Sequence, residues 1–182
     1  MSVTVETGAV IAGANSFVSV TTFQAYCDAR NRDYSSYSDE QLEAAIIQMG
    51  DYLNSLPWKG MKTARTNTMC WPRYGDSLYG WNEISQPASM WLGVVDADGF
   101  IIGTAEVPAE VVAAQNEGAW LLLTGSVLEP ALERGGELKR EKYDVIEFEY
   151  FAGAPTTTEF KAITNRLGGL LSSSATRDLV RS

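Results

Sequence analysis

Two glutamates are the first candidates for chemistry, because general acid–base catalysis often uses two carboxyl groups held in different environments. Glu110 and Glu117 lie seven residues apart, which places them two turns apart on one predicted helix. The sequence indicates neither a cleft nor a perturbed pKa around them. We therefore interpret the two glutamates as part of a solvated helix face rather than as an acid and base pair.

The other common catalytic and ligand-binding patterns are missing. The chain has no histidine, which excludes histidine-based triads, general bases and metal ligands. Lys59 and Gly60 stand in the wrong order for a phosphate-binding loop. Asp96, Asp98 and Gly99 match only part of a calcium loop, and a turn explains them better. We expect a binding or structural protein that is not an enzyme and has no cofactor and no metal.

Residues 58–75, WKGMKTARTNTMCWPRYG, interleave basic side chains with two tryptophans and a tyrosine. In one interpretation the rings stack on bases and the cations contact phosphates, as in single-strand-binding proteins. In the other, Trp58 and Trp71 fill the core and the basic residues face solvent: Lys59, Lys62, Arg65 and Arg73. The net charge of −9 favours the second interpretation, since an acidic surface repels DNA.

Length and composition are typical of a folded, cytosolic protein. A chain of 182 residues suits one domain with a real core that also carries long excursions. No stretch approaches the ~20 apolar residues that span a bilayer, and no basic segment precedes an apolar run at the N-terminus, so we expect no membrane partner. Cys27 and Cys70 are isolated, and we expect two reduced, partly buried thiols.

Helical periodicity organises the chain around residues 107–123, VPAEVVAAQNEGAWLLL. Pro108 suits the first helical position, and Gly118 suggests that another backbone passes close by. The apolar residues of this helix recur on one side. The polar side is predicted to consist of Gln115, Asn116 and Glu117.

Three further helices have recognisable starts. Ser19 can cap a helix that runs to Ala29 or Arg30, and Ser38 with Gln41 has the spacing of a capping box. Pro57 ends that second helix. Thr158 can cap a last helix with an apolar face that extends to Leu171.

The fold class that we predict is mainly α, a bundle of about four helices with a protruding β-hairpin and extended termini. Residues 1–171 form one domain in this prediction, with an inserted excursion at 76–103 and the hairpin at 138–150. Asp98 and Gly99 signal a hairpin turn inside the excursion. Residues 172–182 form a polar C-terminal tail.

Seven short motifs occur in an order that is similar to one family. They are GANSFVSV at 13–20, DYL at 51–53, WKG at 58–60, WPR at 71–73, DADGF at 96–100, VPAEV at 107–111 and LERGGELKREK at 132–142. Together they resemble a tailed-phage family often labelled DnaT-like single-stranded DNA-binding protein. Its members in turn resemble head-tail connector, or adaptor, proteins. The chain departs from the pattern at residues 76–95, which look like an insertion, and at Asn67, where the family more often has Gln.

The resemblance implies a virion structural protein, a head-tail connector that forms a ring of about twelve copies beneath the portal. Its partners would be the portal and a tail-side neck or stopper protein, and DNA would pass through the lumen without specific binding. The protein would lie in the virion neck, and in the host cytoplasm during assembly. The alternative is a DnaT-like single-strand binder of phage replication, and a third reading is a small regulatory module.

Two sets of residues are candidate contacts under the connector reading. The candidate subunit contacts are Arg140, Lys142, Glu147, Glu149, Trp81 and Trp91. The candidate portal contacts, in the polar tail, are Arg177, Leu179, Val180 and Arg181.

Overall fold

A computed structural model of the protein describes residues 2–77, 91–126, 140–143, 146–149 and 161–172. This part of the chain is mostly helical, with four helices: α1 Val20–Asp28, α2 Asp39–Ser55, α3 Ala109–Leu123 and α4 Lys161–Leu167. Its five strands are β1 Met61–Lys62, β2 Arg73–Ser77, β3 Trp91–Gly93, β4 Arg140–Tyr143 and β5 Ile146–Glu149. The mainly helical class with four helices is confirmed, whereas their arrangement as a bundle stays a prediction.

The helix starts follow the capping rules that the sequence indicates. The Ser19 hydroxyl accepts the Thr22 N–H at 3.1 Å at the start of α1. At the start of α2, Ser38 and Gln41 form both halves of a capping box. Pro108 is the residue before α3 rather than its first helical residue, a shift of one position. None of the described helices is long and apolar enough to cross a membrane.

Helix α3 lies at the centre of the packing, between α2 and α4. Gly118 of α3 is needed for this contact, since a Cβ atom there would lie 2.1 Å from the Met49 sulfur of α2. The close neighbour is therefore a side chain rather than the backbone that we expected. The core also includes apolar residues from every helix, among them Phe23, Ile46, Leu53, Val111, Ile163 and Leu167.

The predicted polar side of α3 is wrong, because that side is buried as well. Gln115 is fully buried, and Asn116 and Glu117 are 3% and 9% exposed. The Gln115 side chain accepts the Phe17 N–H at 2.7 Å and donates to the Ile46 carbonyl at 2.9 Å. Polar side chains can be buried when their hydrogen bonds are made inside the protein, so α3 is covered on nearly all sides.

A three-stranded antiparallel sheet, ordered β1-β2-β3, lies where the sequence showed only a loop and an excursion. Met61 pairs with Tyr74, and Tyr74 pairs with Gly93. The pairing continues beyond β3 through a bridge between Val95 and Ile101. The chain reverses between these two residues at the predicted Asp98–Gly99 turn, which is confirmed and in which Gly99 has a φ of +90°.

The predicted hairpin at 138–150 is confirmed as β4 and β5. Its register pairs Tyr143 with Ile146, so two residues connect the strands. Two predicted subunit contacts from each strand are cross-strand partners: Arg140 with Glu149 and Lys142 with Glu147. The register thus places residues of opposite charge at paired positions, as the sequence predicted for facing strands, and their role as subunit contacts stays a prediction.

Candidate functional site

The segment 58–75 contains four basic and no acidic residues in a chain whose net charge is −9. Its two tryptophans are part of the core: Trp58 is 7% exposed and Trp71 is fully buried. Their ring centroids lie 5.9 Å apart in an edge-to-face contact, and the Trp58 indole donates to the Leu53 carbonyl at 2.7 Å. The second interpretation of the tryptophans is therefore confirmed, and neither ring is accessible to a base.

Arg73 was expected to face solvent, and this expectation is wrong. Its guanidinium is buried and donates to three backbone carbonyls, those of Lys59 at 2.7 Å, Gly60 at 2.6 Å and Cys70 at 3.1 Å. Burial lowers the pKa of Arg73. Buried carbonyls of a loop need donors, and one arginine supplies several at fixed angles. Arg73 thus holds the segment together and is not available to a ligand.

Two cations of the segment remain on the surface, Lys62 and Arg65. The Lys62 ammonium donates to the Asn67 carbonyl at 3.2 Å, which uses one of its three donors. Asn67 is itself buried and accepts the Met69 N–H at 3.1 Å. Lys62 at the end of β1 and Arg65 in the loop that follows therefore project from a segment whose backbone is fixed from inside.

The sheet that carries this loop has a buried face and an exposed face, which follow from the alternation of side chains along each strand. Arg73, Val94 and Ile102 are buried on one face. We call the opposite side the outer face, and it consists of Met61, Tyr74, Gly93, Val95 and Ile101. Met61, Val95 and Ile101 are 38%, 45% and 55% exposed.

A second group of charged and aromatic residues surrounds Glu117, and we call it the Glu117 cluster. The carboxylate accepts hydrogen bonds from the Tyr26 hydroxyl and from Arg32, with an Arg32 nitrogen at 3.0 Å, and Arg166 lies 3.7 Å away. Burial favours the neutral acid, but these hydrogen bonds and positive charges outweigh it and lower the pKa of Glu117. The Arg30 guanidinium covers the outside of the cluster, 3.6 Å from the Tyr26 ring centre.

The two glutamates of α3 do not form a site together. Glu110 is exposed in the first turn, whereas Glu117 is committed to the cluster. The interpretation as a solvated face thus fits Glu110 and is wrong for Glu117. Among the described residues no group of three cysteines or carboxylates could hold a metal ion.

Both thiols are free and buried, more completely than the sequence suggested. Burial raises the pKa of the Cys27 thiol. It raises the pKa of Cys70 to about 12, although Arg73 nearby lowers it in part. Neither thiol has the lowered pKa and the access that a reactive cysteine needs.

Half of the ten predicted subunit and portal contacts lie outside the described residues. These are Trp81 and the four tail positions, Arg177, Leu179, Val180 and Arg181. Trp91 lies in β3, and the four charged positions of the hairpin lie in β4 and β5. Their role as subunit or portal contacts stays a prediction.

The chain matches one protein-family model over residues 1–89 and 92–182. That family is described as "Putative DnaT-like ssDNA binding protein". No curated protein and no solved structure matched the chain.

The match corrects the functional prediction. The head-tail connector reading is wrong, because the description of the matched family names single-stranded DNA binding rather than a virion structure. The description supports the alternative that the sequence left open. The ring, the portal and tail-side partners and the virion location depended on the connector reading and stay untested predictions.

Proposed function

We propose, on the premise that the chain belongs to the DnaT-like single-stranded DNA-binding family, that it binds single-stranded DNA through the loop between β1 and β2. The observation that carries this proposal is the segment 58–75. It is free of acidic residues, and its fold buries the tryptophans while Lys62 and Arg65 stay exposed. The loop thus offers a local positive surface on an acidic protein.

The charge distribution determines how strongly we expect the protein to bind single-stranded DNA. Binding to a nucleic acid gains from each phosphate that a Lys or Arg neutralises, and the affinity falls with salt by a slope of about 0.7 per contact for single strands. Two exposed cations predict a slope of about −1.4, which is shallow. The net charge of −9 opposes binding further, so the protein should bind weakly and without strong sequence preference.

In this proposal the protein acts by binding and not by catalysis. The Glu117 carboxylate is taken up by Tyr26 and Arg32, and both thiols are buried. No step of the function calls for a cofactor.

Fluorescence anisotropy with a labelled oligothymidylate, across a series of salt concentrations, tests the proposal. Arg65→Ala should weaken binding several-fold and reduce the salt slope by about 0.7, since one phosphate contact is lost. Arg30→Ala is the matched control, because it removes another exposed arginine, one that lies against Tyr26. It should leave both the affinity and the slope close to those of the wild type.

Two results would contradict the proposal. The wild-type protein could fail to bind the oligonucleotide even at low salt, where the electrostatic term is largest. Alternatively, Arg30→Ala could weaken binding as much as Arg65→Ala does, which would show that only the overall charge matters.

A further inference from the structure

We infer that the tail beyond Ser172, residues 173–182, packs against the turn at residues 95–101 of the same chain. We call this turn the acidic turn, because it contains two aspartates and no cation. It presents apolar side chains beside these carboxylates, whereas the tail carries an apolar pair between two arginines. The inference goes beyond the proposed function and does not depend on DNA binding.

Exposed apolar side chains are concentrated at the acidic turn. Four large apolar residues are exposed in the described part of the chain, and three of them belong to the turn. Val95, Phe100 and Ile101 are 45%, 71% and 55% exposed, and the fourth residue is Met61 of β1. A group of exposed apolar side chains marks an interaction surface more often than a single one does.

The backbone of the acidic turn is held by its own hydrogen bonds. The Asp96 N–H donates to the Phe100 carbonyl at 2.9 Å, and the Asp96 carboxylate accepts the N–H groups of Asp98 and Phe100 at 2.9 and 2.8 Å. Next to the turn, the Ile102 N–H donates to the Val94 carbonyl at 2.9 Å. The apolar side chains thus project from a preformed surface, which a partner does not have to order.

The charge of the turn favours a basic partner. Among the described residues, neither Asp96 nor Asp98 has an ion-pair partner. Two unpaired carboxylates repel a nucleic acid, and they also repel a second copy of a chain whose net charge is −9. The occupant should therefore combine apolar side chains with positive charge.

The tail is the stretch outside the described residues that meets this requirement. The other stretches with charged side chains all contain more acidic than basic residues: 78–90, 127–139, 144–145 and 150–160. Residues 173–182 instead contain two arginines and one aspartate. Leu179 and Val180, which we call the apolar pair, stand between Arg177 and Arg181. The tail can thus match the turn in both apolar character and charge.

The tail also begins close to the acidic turn. A Cβ atom on Gly169 would lie 2.7 Å from the Ala97 Cβ atom, so the chain passes against the turn three residues before Ser172. The Lys59 ammonium donates to the Gly169 carbonyl at 2.6 Å, and the Ser172 N–H donates to the Pro57 carbonyl at 2.8 Å. These contacts fix the point from which the tail leaves the domain.

The lengths of chain allow the contact. An extended chain spans at most about 3.6 Å per residue, so Ser172 lies within about 11 Å of Gly169, whereas Leu179 can reach about 25 Å from Ser172. The apolar pair can therefore lie on the turn. A short tether also gives an effective concentration on the order of millimolar, so a contact that is too weak to join separate chains can form within one chain.

Amide chemical shifts of the turn, measured by NMR, test the inference. Truncation after Thr176 should shift the resonances of residues 95–101 and leave that of Met61 unchanged. Replacing the apolar pair by Leu179→Ser and Val180→Ser together should shift the same resonances in the same direction. Ala175→Ser is the matched control, because Ala175 is an apolar residue of the tail that lies outside the pair. Its effect on the turn should be several-fold smaller.

Three results would overturn the inference. Resonances of residues 95–101 that do not change on truncation would show that the tail lies elsewhere. Equal shifts from Ala175→Ser and from the substituted apolar pair would show that Leu179 and Val180 make no specific contact. Shifts that grow with protein concentration, together with a dimer in sedimentation velocity, would show that the tail binds a second copy. Thermal melting of each variant shows whether the fold is intact, and Arg65→Ala tests the proposed function separately.

Discussion

The Glu117 cluster and the segment 58–75 both combine cations with aromatic rings, yet the two regions use their charges differently. In the cluster, Arg32 donates to the Glu117 carboxylate, whose side chain is 12% exposed. The Arg32 guanidinium also lies over the Trp120 ring, 5.3 Å from its centre. In the segment, Arg73 donates to backbone carbonyls, while Lys62 and Arg65 extend to the surface. One region neutralises its cations internally, and the other leaves two of them exposed.

This difference shows why residue type alone does not identify a nucleic-acid interface. The cluster has more arginines close together, but Glu117 offsets much of their charge, and the exposed faces of its rings are partly covered by guanidinium groups. The segment has equally many exposed cations, Lys62 and Arg65, and no acid among them. Phosphate binding depends on the charge that remains unpaired.

The largest effect on stability should come from removing the Trp71 ring, which the sequence alone allows either in the core or in a DNA interface. Trp71→Ala should reduce the free energy of unfolding by about 4 kcal/mol, because it leaves a cavity in the core. Trp71→Phe should cost about 1 kcal/mol and keep oligonucleotide affinity, since the buried Trp71 indole nitrogen has no hydrogen-bond partner among the described residues. Urea unfolding and anisotropy measure the two quantities. A folded Trp71→Phe variant that no longer binds DNA would show that Trp71 belongs to the interface and not only to the core.

Glu117→Gln should have the next largest effect, a loss of about 3 kcal/mol in the free energy of unfolding. It removes one partner of a mostly buried ion pair and leaves Arg32 without its countercharge. Oligonucleotide affinity should not weaken, because the cluster is not part of the proposed interface. Glu110→Gln is the matched control on the same helix, and its exposed carboxylate should contribute less than about 1 kcal/mol. Equal losses in the two variants would show that Glu117 acts only as a surface charge.

The local parts of the fold were predictable from the sequence. The caps at Ser19 and Ser38 depend on side chains within three residues of the backbone N–H that they accept, so spacing alone identifies them. The turn at Gly99 and the β4–β5 hairpin were likewise signalled by neighbouring residues. Interactions between close neighbours leave a pattern that one sequence can show.

The candidate interface was only half predictable, because its geometry depends on distant partners. The composition of segment 58–75 marked it as basic and aromatic, but nothing local indicated that Trp71 is buried or that Tyr74 pairs with Gly93. The same applies to Gln115, whose partners Phe17 and Ile46 are far away in the sequence. Two- and three-residue strands are too short to show the alternation that predicts a sheet.

Lowering the pH should have a smaller effect on the free energy of unfolding, and this effect should come from the Glu117 cluster and not from segment 58–75. The pKa of Glu117 is lowered in the folded protein, so its contribution to stability is present above the unfolded pKa of about 4.3 and is lost as pH falls through the folded pKa. The stability difference between wild type and Glu117→Gln should therefore shrink from about pH 5 downwards. Urea unfolding of both proteins at several pH values measures it. A difference that stays constant to about pH 2 would mean that the cluster does not depend on the charge of Glu117.

The smallest effect is expected from thiol alkylation: neither the cysteine beside the Glu117 cluster nor the one in segment 58–75 should react in the native protein. Cys27 follows Tyr26 of the cluster, and Cys70 precedes Trp71 of the segment, so the pair reports on both interiors. Burial raises both thiol pKa values, that of Cys70 to about 12, so at about pH 8 very little thiolate forms and what forms is shielded. Iodoacetamide should label neither residue in the native protein and both in urea, as measured by mass spectrometry of peptides. Fast labelling of Cys70 alone would show that segment 58–75 opens locally. The loop that presents Lys62 and Arg65 would then not be the rigid element from which the proposed interface is built.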